Sequence, residues 1–405
     1  MLPGFANRAV NPGQNTHFLV YFHVMNFKRI YFDFAATTPL NKSIAKAMRD
    51  FELEFYGNPS STHREGQLAR AKIDFARATV AKFLNAKPQE IIFTSGATEA
   101  NNLAIQGVVA GRAKPHVVTT LLEHQSIYNQ VKDLEKRGVV EATYVKPDKN
   151  GVITAGKIIE AIKPNTVLVS VIFVSNEIGT ILPVREIGEK LPKGILFHID
   201  AVQAAQFLNL NVEKLNCHLL TISAHKIYGP KGIGILYVRS GVKLQNLSVG
   251  GSQEYGKRPG TQNTPGIIGL ALAIEKLGSL ESRQEVGNKI SELRDQFIKK
   301  IIKIPSLQIN GPTGEMRIPN NISATINGVD QDALMTALDL AGIAASTGSA
   351  CVSGSSEPSH VIQALDSVKV GQAATVRFTL GRDSTLKEVK YVTKTLAQII
   401  SQLRK

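Results

Sequence analysis

Hydrophobic residues follow two alternating patterns along the chain from Arg29 onward. Short apolar runs rich in β-branched residues predict buried strands, and longer segments with apolar residues every three or four positions predict amphipathic helices. Between residues 91 and 238 the predicted strands are Ile91–Phe93, Val117–Thr119, Ala142–Val145, Val167–Val174, Ile195–Ile199, Leu219–Ile222 and Ile233–Val238. Strands that alternate with helices predict an α/β fold whose mixed, mostly parallel sheet is covered on both faces.

The pattern changes toward the C-terminal end. A long helical segment is predicted over Thr264–Lys300, followed by shorter strands and helices such as the strand Ala373–Leu380. We therefore expect a large domain over residues 44–282 and a smaller α+β domain built from residues 29–43 and 283–405. Residues 1–28 make a poor signal peptide, and we expect them to be a disordered extension or the product of an upstream start codon.

Composition limits the classes of function. The 405 residues are 43% hydrophobic and 20% charged, which is typical of a globular protein. The net charge of +14 is spread along the chain without a groove-reading motif, so no sequence-specific nucleic-acid partner is predicted. No apolar run approaches the roughly 20 residues that span a bilayer, so no membrane partner is predicted. Two cysteines, Cys217 and Cys351, make no disulfide framework and favour a reducing, cytoplasmic setting.

Polar residues follow the predicted strands at the edge where α/β sheets bind ligands. Lys226 lies in Ser223-Ala224-His225-Lys226, directly after the apolar run Leu219–Ile222. Burial favours the neutral amine of such a lysine, and a neutral amine can attack a carbonyl. Taken alone, however, the tetrapeptide is more typical of a surface turn.

Three further strand ends carry polar groups. Thr94–Thr98 closes a strand and opens a helix, so its backbone N–H groups and the Thr98 hydroxyl can bind a phosphate; a plain helix cap is the alternative. His124 opens the next helix and either caps it or stacks on a planar ring and moves protons. Asn176 follows the strand Val167–Val174 and has the plain alternative of a turn residue.

Asp200 ends the strand Ile195–Ile199, with Gln203 one turn later. A carboxylate that leaves an apolar strand is costly to bury unless a cation pairs with it, and a protonated ring nitrogen is such a cation. Pyridoxal 5′-phosphate is bound by a site that combines a phosphate-binding loop, an imidazole, a carboxylate and a lysine amine. A single ligand explains the polar residues at these four strand ends better than four unrelated turns or caps do. We therefore predict this cofactor and no metal site.

Eight motifs in the chain carry a family resemblance. They are Asp33–Pro39, Gly57–His63, Phe93–Glu99, Asn176–Gly179, His198–Gln203, Ser223–Gly234, Arg258–Thr261 and Gly348–Cys351. Through them the chain, from about Ile30 to the final helix, resembles the cysteine desulfurases of the class V aminotransferase family. The resemblance implies the aspartate-aminotransferase superfold, which is fold type I of the pyridoxal phosphate enzymes.

The resemblance also implies a role for each site residue. Lys226 bonds covalently to the cofactor aldehyde, Asp200 keeps the ring nitrogen protonated, and Gln203 bonds the phenolic oxygen while His124 stacks on the ring. The phosphate is held by Ala97, Thr98, Ser223 and His225. A threonine matching Thr261 reaches the phosphate of the neighbouring subunit, which implies a homodimer. Asn176 and Arg377 bind the substrate carboxylate, for which arginine supplies a bidentate fork.

Cys351 lies in Ser346–Ser356, where small residues and glycines predict a loop. By resemblance it is the nucleophile that takes the sulfur of L-cysteine as a persulfide and leaves L-alanine, whereas Cys217 suits a buried structural position. The length of this segment resembles the group that serves iron–sulfur cluster assembly and tRNA thiolation. It implies sulfur-acceptor proteins such as an iron–sulfur scaffold or a tRNA-thiolation relay protein.

Other classes of protein share parts of this pattern. A selenocysteine lyase or another class V aminotransferase would have every cofactor residue. A non-catalytic scaffold would have lost Lys226 or Cys351, and both are present.

Overall fold

The structure is a computed structural model that describes residues 29–348, 359–365 and 373–404. Its strands are β1 (Ile30–Tyr31), β2 (Ile91–Thr94), β3 (His116–Thr120), β4 (Glu141–Val145), β5 (Thr166–Ile172), β6 (Leu196–Asp200), β7 (Leu219–Ser223), β8 (Gly234–Val238), β9 (Leu307–Ile309), β10 (Asn321–Asn327), β11 (Ile343–Ala344) and β12 (Ala373–Thr379). Its helices are α1 (Lys42–Glu54), α2 (Arg64–Leu84), α3 (Ala97–Val109), α4 (Gln125–Lys136), α5 (Ala155–Glu160), α6 (Val184–Lys190), α7 (Val212–Leu215), α8 (Thr264–Leu277), α9 (Leu280–Ile301), α10 (Gln331–Leu340), α11 (His360–Gln363) and α12 (Leu386–Leu403). The predictions for residues 1–28 and for Cys351 lie outside the described residues.

A seven-stranded sheet forms the large layer, in the order β2-β8-β7-β6-β5-β3-β4. The pairs from β4 through β3, β5 and β6 to β7 are all parallel, whereas β8 runs antiparallel to both of its neighbours, β2 and β7. The connection from β7 to β8 is too short for a crossover helix, so the two strands pair antiparallel. The predicted α/β class with a mixed, mostly parallel sheet is confirmed.

Helices cover both faces of this sheet. Adjacent strand residues point to opposite faces, so Ile92 packs with the α3 residue Leu103 in one apolar cluster and Phe93 packs in another. The second cluster includes Ile73 of α2 and Leu270 of α8. Burial of both faces explains the continuous apolar runs that predicted these strands.

The C-terminal elements form a separate antiparallel sheet in the order β12-β10-β9. The long helix predicted over Thr264–Lys300 is two helices, because Gly278 ends α8 with a φ of 75° and the Ser279 side chain caps α9. The predicted domain boundaries at 44–282, and at 29–43 with 283–405, stay a prediction. None of the helices within the described ranges is both long and apolar enough to cross a membrane.

Candidate active site

A cavity of about 570 Å³ lies at the carboxyl edge of the seven-stranded sheet, beside the last residues of β5, β6 and β7. Its walls include most of the residues predicted from the sequence. They are Ala97, Thr98, His124, Asn176, Asp200, Gln203, Ser223, His225, Lys226 and Arg377. Thr261 is exposed and is not among the described residues that line the cavity.

The N-terminus of α3 forms an anion-binding end of the cavity. Gly96 precedes the helix without a side-chain cap, so the first backbone N–H groups of α3 have no side-chain acceptor there. A Cβ built on Gly96 would meet no atom within 4 Å, which shows open space at this helix end. Free N–H groups and the positive end of the helix dipole favour a phosphate.

His225 also lines the cavity. Burial, with the nearby cations Lys226 and Lys231, lowers the pKa of His225 to about 4. Its Nδ1 lies 3.1 Å from the Thr37 hydroxyl. His225 is therefore neutral near pH 7, and it can offer a phosphate a hydrogen bond without adding a charge.

Asp200 is held in one orientation at the end of β6. The backbone N–H of Val202 donates to its Oδ1 over 3.0 Å, and Asn101 Nδ2 donates to its Oδ2 over 2.9 Å. The residue is only 2% exposed, so its carboxylate has little water to solvate it. A protonated ring nitrogen in the cavity would supply the positive partner that this buried carboxylate favours.

His124 is joined to Asp200 through two side chains. Asn101 Nδ2 also donates to the Ser126 hydroxyl over 2.8 Å, and that hydroxyl lies 2.8 Å from His124 Nδ1. The Ser126 backbone N–H donates to the same Nδ1 over 3.1 Å, so the proton of the neutral ring lies on Nε2. Burial lowers the pKa of His124 although Asp200 opposes the shift. The ring is therefore neutral near pH 7.

Lys226 lies on a 3₁₀ turn, Ala224–Lys226, directly after β7. Its Nζ donates to the carbonyl oxygens of Ala35 and Ala36 over 2.5 and 2.7 Å. Gln203 Nε2 donates to the same Ala35 oxygen over 3.0 Å. The motif Asp33–Pro39 thus orients the Lys226 amine. The sequence did not predict this role for the motif.

Arg377 and Asn176 form the other side of the cavity. The Arg377 side chain is 2% exposed, and its Nη2 donates to Asp33 Oδ1 over 2.9 Å. Its Nη1 donates to the carbonyls of Asn176 and Gly348 over 2.9 and 3.2 Å. Arg377 Nε and Asn176 Oδ1 are buried without a hydrogen-bond partner among the described residues. Buried polar atoms of this kind favour a polar ligand nearby.

Two buried carboxyl groups beside these residues, those of Glu123 and Glu177, were not predicted as site residues. Glu123 Oε1 accepts hydrogen bonds from the Thr120 hydroxyl and the Ile172 N–H over 2.6 and 3.0 Å, and burial raises its pKa to about 8. Glu177 lines the cavity, and burial raises its pKa as well. Glu177 belongs to the motif Asn176–Gly179 but was assigned no role there. Glu123 lies outside every motif, and a glutamate before a histidine looks like a surface residue in sequence.

His360 is a further unpredicted contact. Its Nε2 lies 3.0 Å from the Glu123 carbonyl, and its ring stacks on Tyr128 with centroids 4.0 Å apart. Burial lowers the pKa of His360 to about 4, so the neutral ring donates from Nε2 to that carbonyl. His360 therefore ties α11 to the turn that carries His124.

These distances describe a site for a flat, phosphorylated aldehyde with a basic ring nitrogen. On this sheet order, such a site defines the fold type I pyridoxal phosphate enzymes as the class of protein. Residues 30–392 match the family model described as aminotransferase class V, and the chain belongs to that family. Pyridoxal phosphate is the cofactor of this family, so the cofactor prediction is confirmed.

Several known proteins are similar to the chain. Cysteine desulfurase IscS from Dictyoglomus turgidum is 44% identical over 382 residues, which are 93% of this chain and 96% of that protein. The IscS protein of Methanosarcina thermophila is 42% identical over 93% of both chains. A solved NifS-like protein is 35% identical with a TM-score of 0.84, and the match covers 93% of this chain and all of that one. The structure titled SspA in complex with cysteine is 36% identical over 88% of this chain and 100% of that one, with a TM-score of 0.76.

Proposed function

We propose that the chain is a pyridoxal phosphate-dependent cysteine desulfurase, which converts L-cysteine to L-alanine and takes the sulfur as a persulfide on Cys351. The observation that carries the proposal is the convergence of Lys226, Asp200 and His124 on one cavity in a class V chain. The names of the similar proteins favour this activity over a selenocysteine lyase or another class V aminotransferase.

Different residues of the chain bind the cofactor and the substrate. The N–H groups at the start of α3, with Thr98, Ser223 and His225, would hold the phosphate. Pyridoxal phosphate supplies a ring that stores the electrons released at the substrate Cα. Asp200 would keep a proton on the ring nitrogen, and the Gln203 amide would donate to the phenolic oxygen. Arg377 and Asn176 bind the substrate carboxylate.

Two side chains move protons. The Lys226 amine would be the base that takes the proton from the substrate Cα, because it lines the cavity and the Ala35 and Ala36 carbonyls orient it there. Neutral His124 carries its proton on Nε2 and so donates it to the substrate rather than accepting one there. The links from Ser126 through Asn101 to Asp200 keep that ring in place.

Cys351 carries out the sulfur step. Its thiolate attacks the sulfur atom of L-cysteine, and a sulfur–sulfur bond forms as the substrate Cβ–S bond breaks. The electron pair of the broken bond stays on the organic fragment, which takes up a proton at Cβ and leaves as alanine. The persulfide sulfur then passes to an acceptor thiol.

The finer assignments are part of the same proposal. We infer that the acceptors are proteins of iron–sulfur cluster assembly or tRNA thiolation, that the chain works as a homodimer in which Thr261 reaches the phosphate of the neighbouring subunit, and that it is cytoplasmic. The exposed position of Thr261 in the single chain supports the second inference. The small number of cysteines supports the third.

Loss of the proposed nucleophile tests the function. Purified protein with bound cofactor is given L-cysteine and a thiol reductant, and both alanine and sulfide are measured. Cys351→Ser should keep the absorbance of the bound cofactor and lose both products. The matched control is Cys217→Ala, because Cys217 is fully buried with its pKa raised to about 12 and should be dispensable. Full sulfide release by Cys351→Ser would contradict the proposal.

A further inference from the structure

Two side chains on one face of β12 hold the turn 33–37. Arg377 and Thr379 are two positions apart on this strand, so their side chains point to the same side of it. Arg377 Nη2 donates to Asp33 Oδ1, as described above. The Thr379 hydroxyl accepts a hydrogen bond from the Ala35 N–H over 2.8 Å. Through this turn, one strand reaches both the substrate side and the cofactor side of the cavity.

The hydrogen bond between Ala35 and Thr379 is shielded from water. Thr379 has 0% of its surface exposed, and Ala35 has 4%. The Thr379 backbone N–H donates to the Phe32 carbonyl over 2.7 Å, which fixes the strand at this point. A buried N–H that loses its acceptor is costly. Without the hydroxyl, Ala35 would have to shift toward another acceptor, and its carbonyl would shift with it.

The Ala35 carbonyl is used by two polar side chains of the cavity. Lys226 Nζ donates to it over 2.5 Å, and Gln203 Nε2 donates to it over 3.0 Å. Lys226 Nζ also donates to the next carbonyl, that of Ala36, over 2.7 Å. A lysine side chain is a flexible four-carbon stem, so the acceptors of its amine decide where the amine lies. A shift of Ala35 would therefore move the amine within the cavity.

The remainder of the turn is anchored independently. The Tyr31 hydroxyl donates to the Thr37 carbonyl over 2.8 Å. The backbone N–H and the hydroxyl of Thr38 both donate to the His225 carbonyl over 2.9 Å. The hydrogen bond at Ala35 can therefore be removed without unfolding the turn.

We propose that Thr379 is a positioning residue for Lys226: its hydroxyl fixes Ala35, whose carbonyl orients the amine in the cavity. Because Arg377 lies on the same strand, the amine and the guanidinium that would bind the substrate carboxylate are set in a fixed relation to each other, which favours a reactive geometry. The role of Lys226 as a base rests on the proposed function, but the contacts of Thr379 do not.

Acetylation of Lys226 tests the positioning without turnover. The full chain is freed of cofactor with hydroxylamine and treated with acetic anhydride near neutral pH, and mass spectrometry gives the labelling rate of each lysine. Carbonyl acceptors stabilise the protonated, unreactive amine. Thr379→Val removes the hydroxyl and nearly keeps the shape, so Lys226 should be labelled about threefold faster or more, relative to the exposed Lys243. An unchanged or lower rate would overturn the proposal.

Two matched variants show whether the hydroxyl is responsible. Thr379→Ser keeps the hydroxyl and should label Lys226 within about twofold of the wild-type rate. Thr375→Val makes the same change earlier on β12, where the hydroxyl donates to Gln331 Oε1 over 3.3 Å, and it should leave the rate unchanged. If either variant accelerated labelling as much as Thr379→Val, the bond to Ala35 would not be the cause and the proposal would fail.

Steady-state kinetics with L-cysteine separate this role from a general distortion of β12. If Lys226 alone is displaced, Thr379→Val should lower kcat about tenfold and keep KM within about twofold of the wild type. A distorted strand would also displace Arg377 and raise KM. An unchanged kcat, or a rise in KM as large as the fall in kcat, would contradict the positioning role.

Thr379→Ala covers the case in which Thr379→Val does not fold. The smaller side chain leaves room for a water molecule at the Ala35 N–H, so thermal unfolding should show this variant to be the more stable of the two. A water molecule does not fix Ala35 as a hydroxyl on the strand does, so Lys226 should still be acetylated faster than in the wild type. Labelling at the wild-type rate would overturn the proposal.

The proposed function fails under a different result. If the wild type forms no alanine or sulfide from L-cysteine, the desulfurase assignment is wrong. The acetylation rates of the wild type and of Thr379→Val would still test whether Thr379 positions Lys226.

Discussion

The two sides of the cavity differ in how completely their polar groups are paired. On the cofactor side, both carboxylate oxygens of Asp200 accept a hydrogen bond, and Lys226 Nζ donates to two carbonyls. On the substrate side, one polar atom each of Asn176, Glu177 and Arg377 is buried without a partner among the described residues. Around the cofactor side the corresponding atoms, Asn101 Oδ1 and Glu123 Oε2, belong to residues that support Asp200 and His124 and do not themselves line the cavity.

This difference suits the two ligands. A cofactor that stays bound favours a site whose groups are already oriented, because no reorganisation is needed during the reaction. A substrate that comes and goes must supply bonds that the site does not make by itself. Substitutions on the two sides should accordingly change different measured quantities, with cofactor binding and turnover affected on one side and substrate affinity on the other.

Lys226→Ala should have the largest effect. Removing the amine deletes both the covalent attachment of the cofactor and the proposed base, so alanine formation should fall by at least about 10³-fold. The cofactor should then exchange on dialysis and resist trapping by borohydride, which absorbance and mass spectrometry measure. Lys226→Arg keeps the charge but lacks a nucleophilic amine, and it should be equally inactive. Residual turnover near the wild-type rate would remove Lys226 from the mechanism.

Arg377 should report on the substrate side alone. Arg377→Lys keeps the charge but loses the planar fork, so KM for L-cysteine should rise about tenfold, and Arg377→Ala should raise it about 100-fold. Cofactor absorbance should not change in either variant. Because Asp33 loses its partner in Arg377→Ala, thermal unfolding is measured alongside as a control. A loss of cofactor with unchanged KM would reverse the proposed division between the two sides.

Asn101 should have a smaller effect, on the cofactor side. Asn101→Ala removes one hydrogen bond to the Asp200 carboxylate, which is worth about 1.5–3 kcal/mol for a charged acceptor. We expect turnover to fall about tenfold and the absorbance of the bound cofactor to titrate at a different pH, while KM changes little. Asn101→Asp tests the charge, because a second carboxylate beside Asp200 should be worse than alanine. A rise in KM without a change in the titration would contradict this role.

Glu123 should affect stability more than activity. Its pKa in the folded protein is about 8, above the ordinary 4.5, so the folded protein binds this proton more tightly than the unfolded chain does. The stability from this group is fully present below pH 4.5 and is lost as pH rises toward 8. Chemical denaturation should show Glu123→Gln gaining stability relative to the wild type across that interval, by up to about 1.4 kcal/mol per pH unit. If the free energies of unfolding of the two proteins changed equally with pH, Glu123 would not be protonated in the folded protein.

The buried histidines do not obscure this comparison. Burial lowers the pKa values of His198, His225 and His360 to about 3, 4 and 4, so their contribution is lost as pH falls below about 6.5. Their effect has the opposite sign and is the same in both proteins, so it cancels in the difference.

The sequence predicts the cofactor side of the cavity well, for a physical reason. Asp200 and Lys226 follow buried strands directly, and strand ends of a parallel sheet meet at one edge. The order of those strands, and the reversal of β8, depend on the length of the connections and were not predicted. The role of Asn101 could not be predicted from the sequence, because a single asparagine inside an amphipathic helix has no distinctive spacing.

The substrate side is harder to predict because distant segments build it. Asp33, Asn176 and Arg377 come from three separate parts of the chain. The strand-end pattern marked Asn176, with a turn residue as the alternative, whereas only the family resemblance indicated Arg377. Glu177 lies in the motif Asn176–Gly179 but was assigned no role. The contact of Glu177 with Gly348 depends on how the small sheet sits beside the cavity, which periodicity does not encode.

The ion pair between Asp33 and Arg377 has a consequence for the order of events during synthesis. The two residues are 344 positions apart, and the carbonyls that hold Lys226 belong to the same early segment as Asp33. Because the ribosome makes the chain from its N-terminus, this pair cannot form until β12, the last of the described β-strands, has emerged. A chain released before β12 would lack Arg377, so the substrate side of the cavity is completed last, after the residues proposed to hold the cofactor have been made.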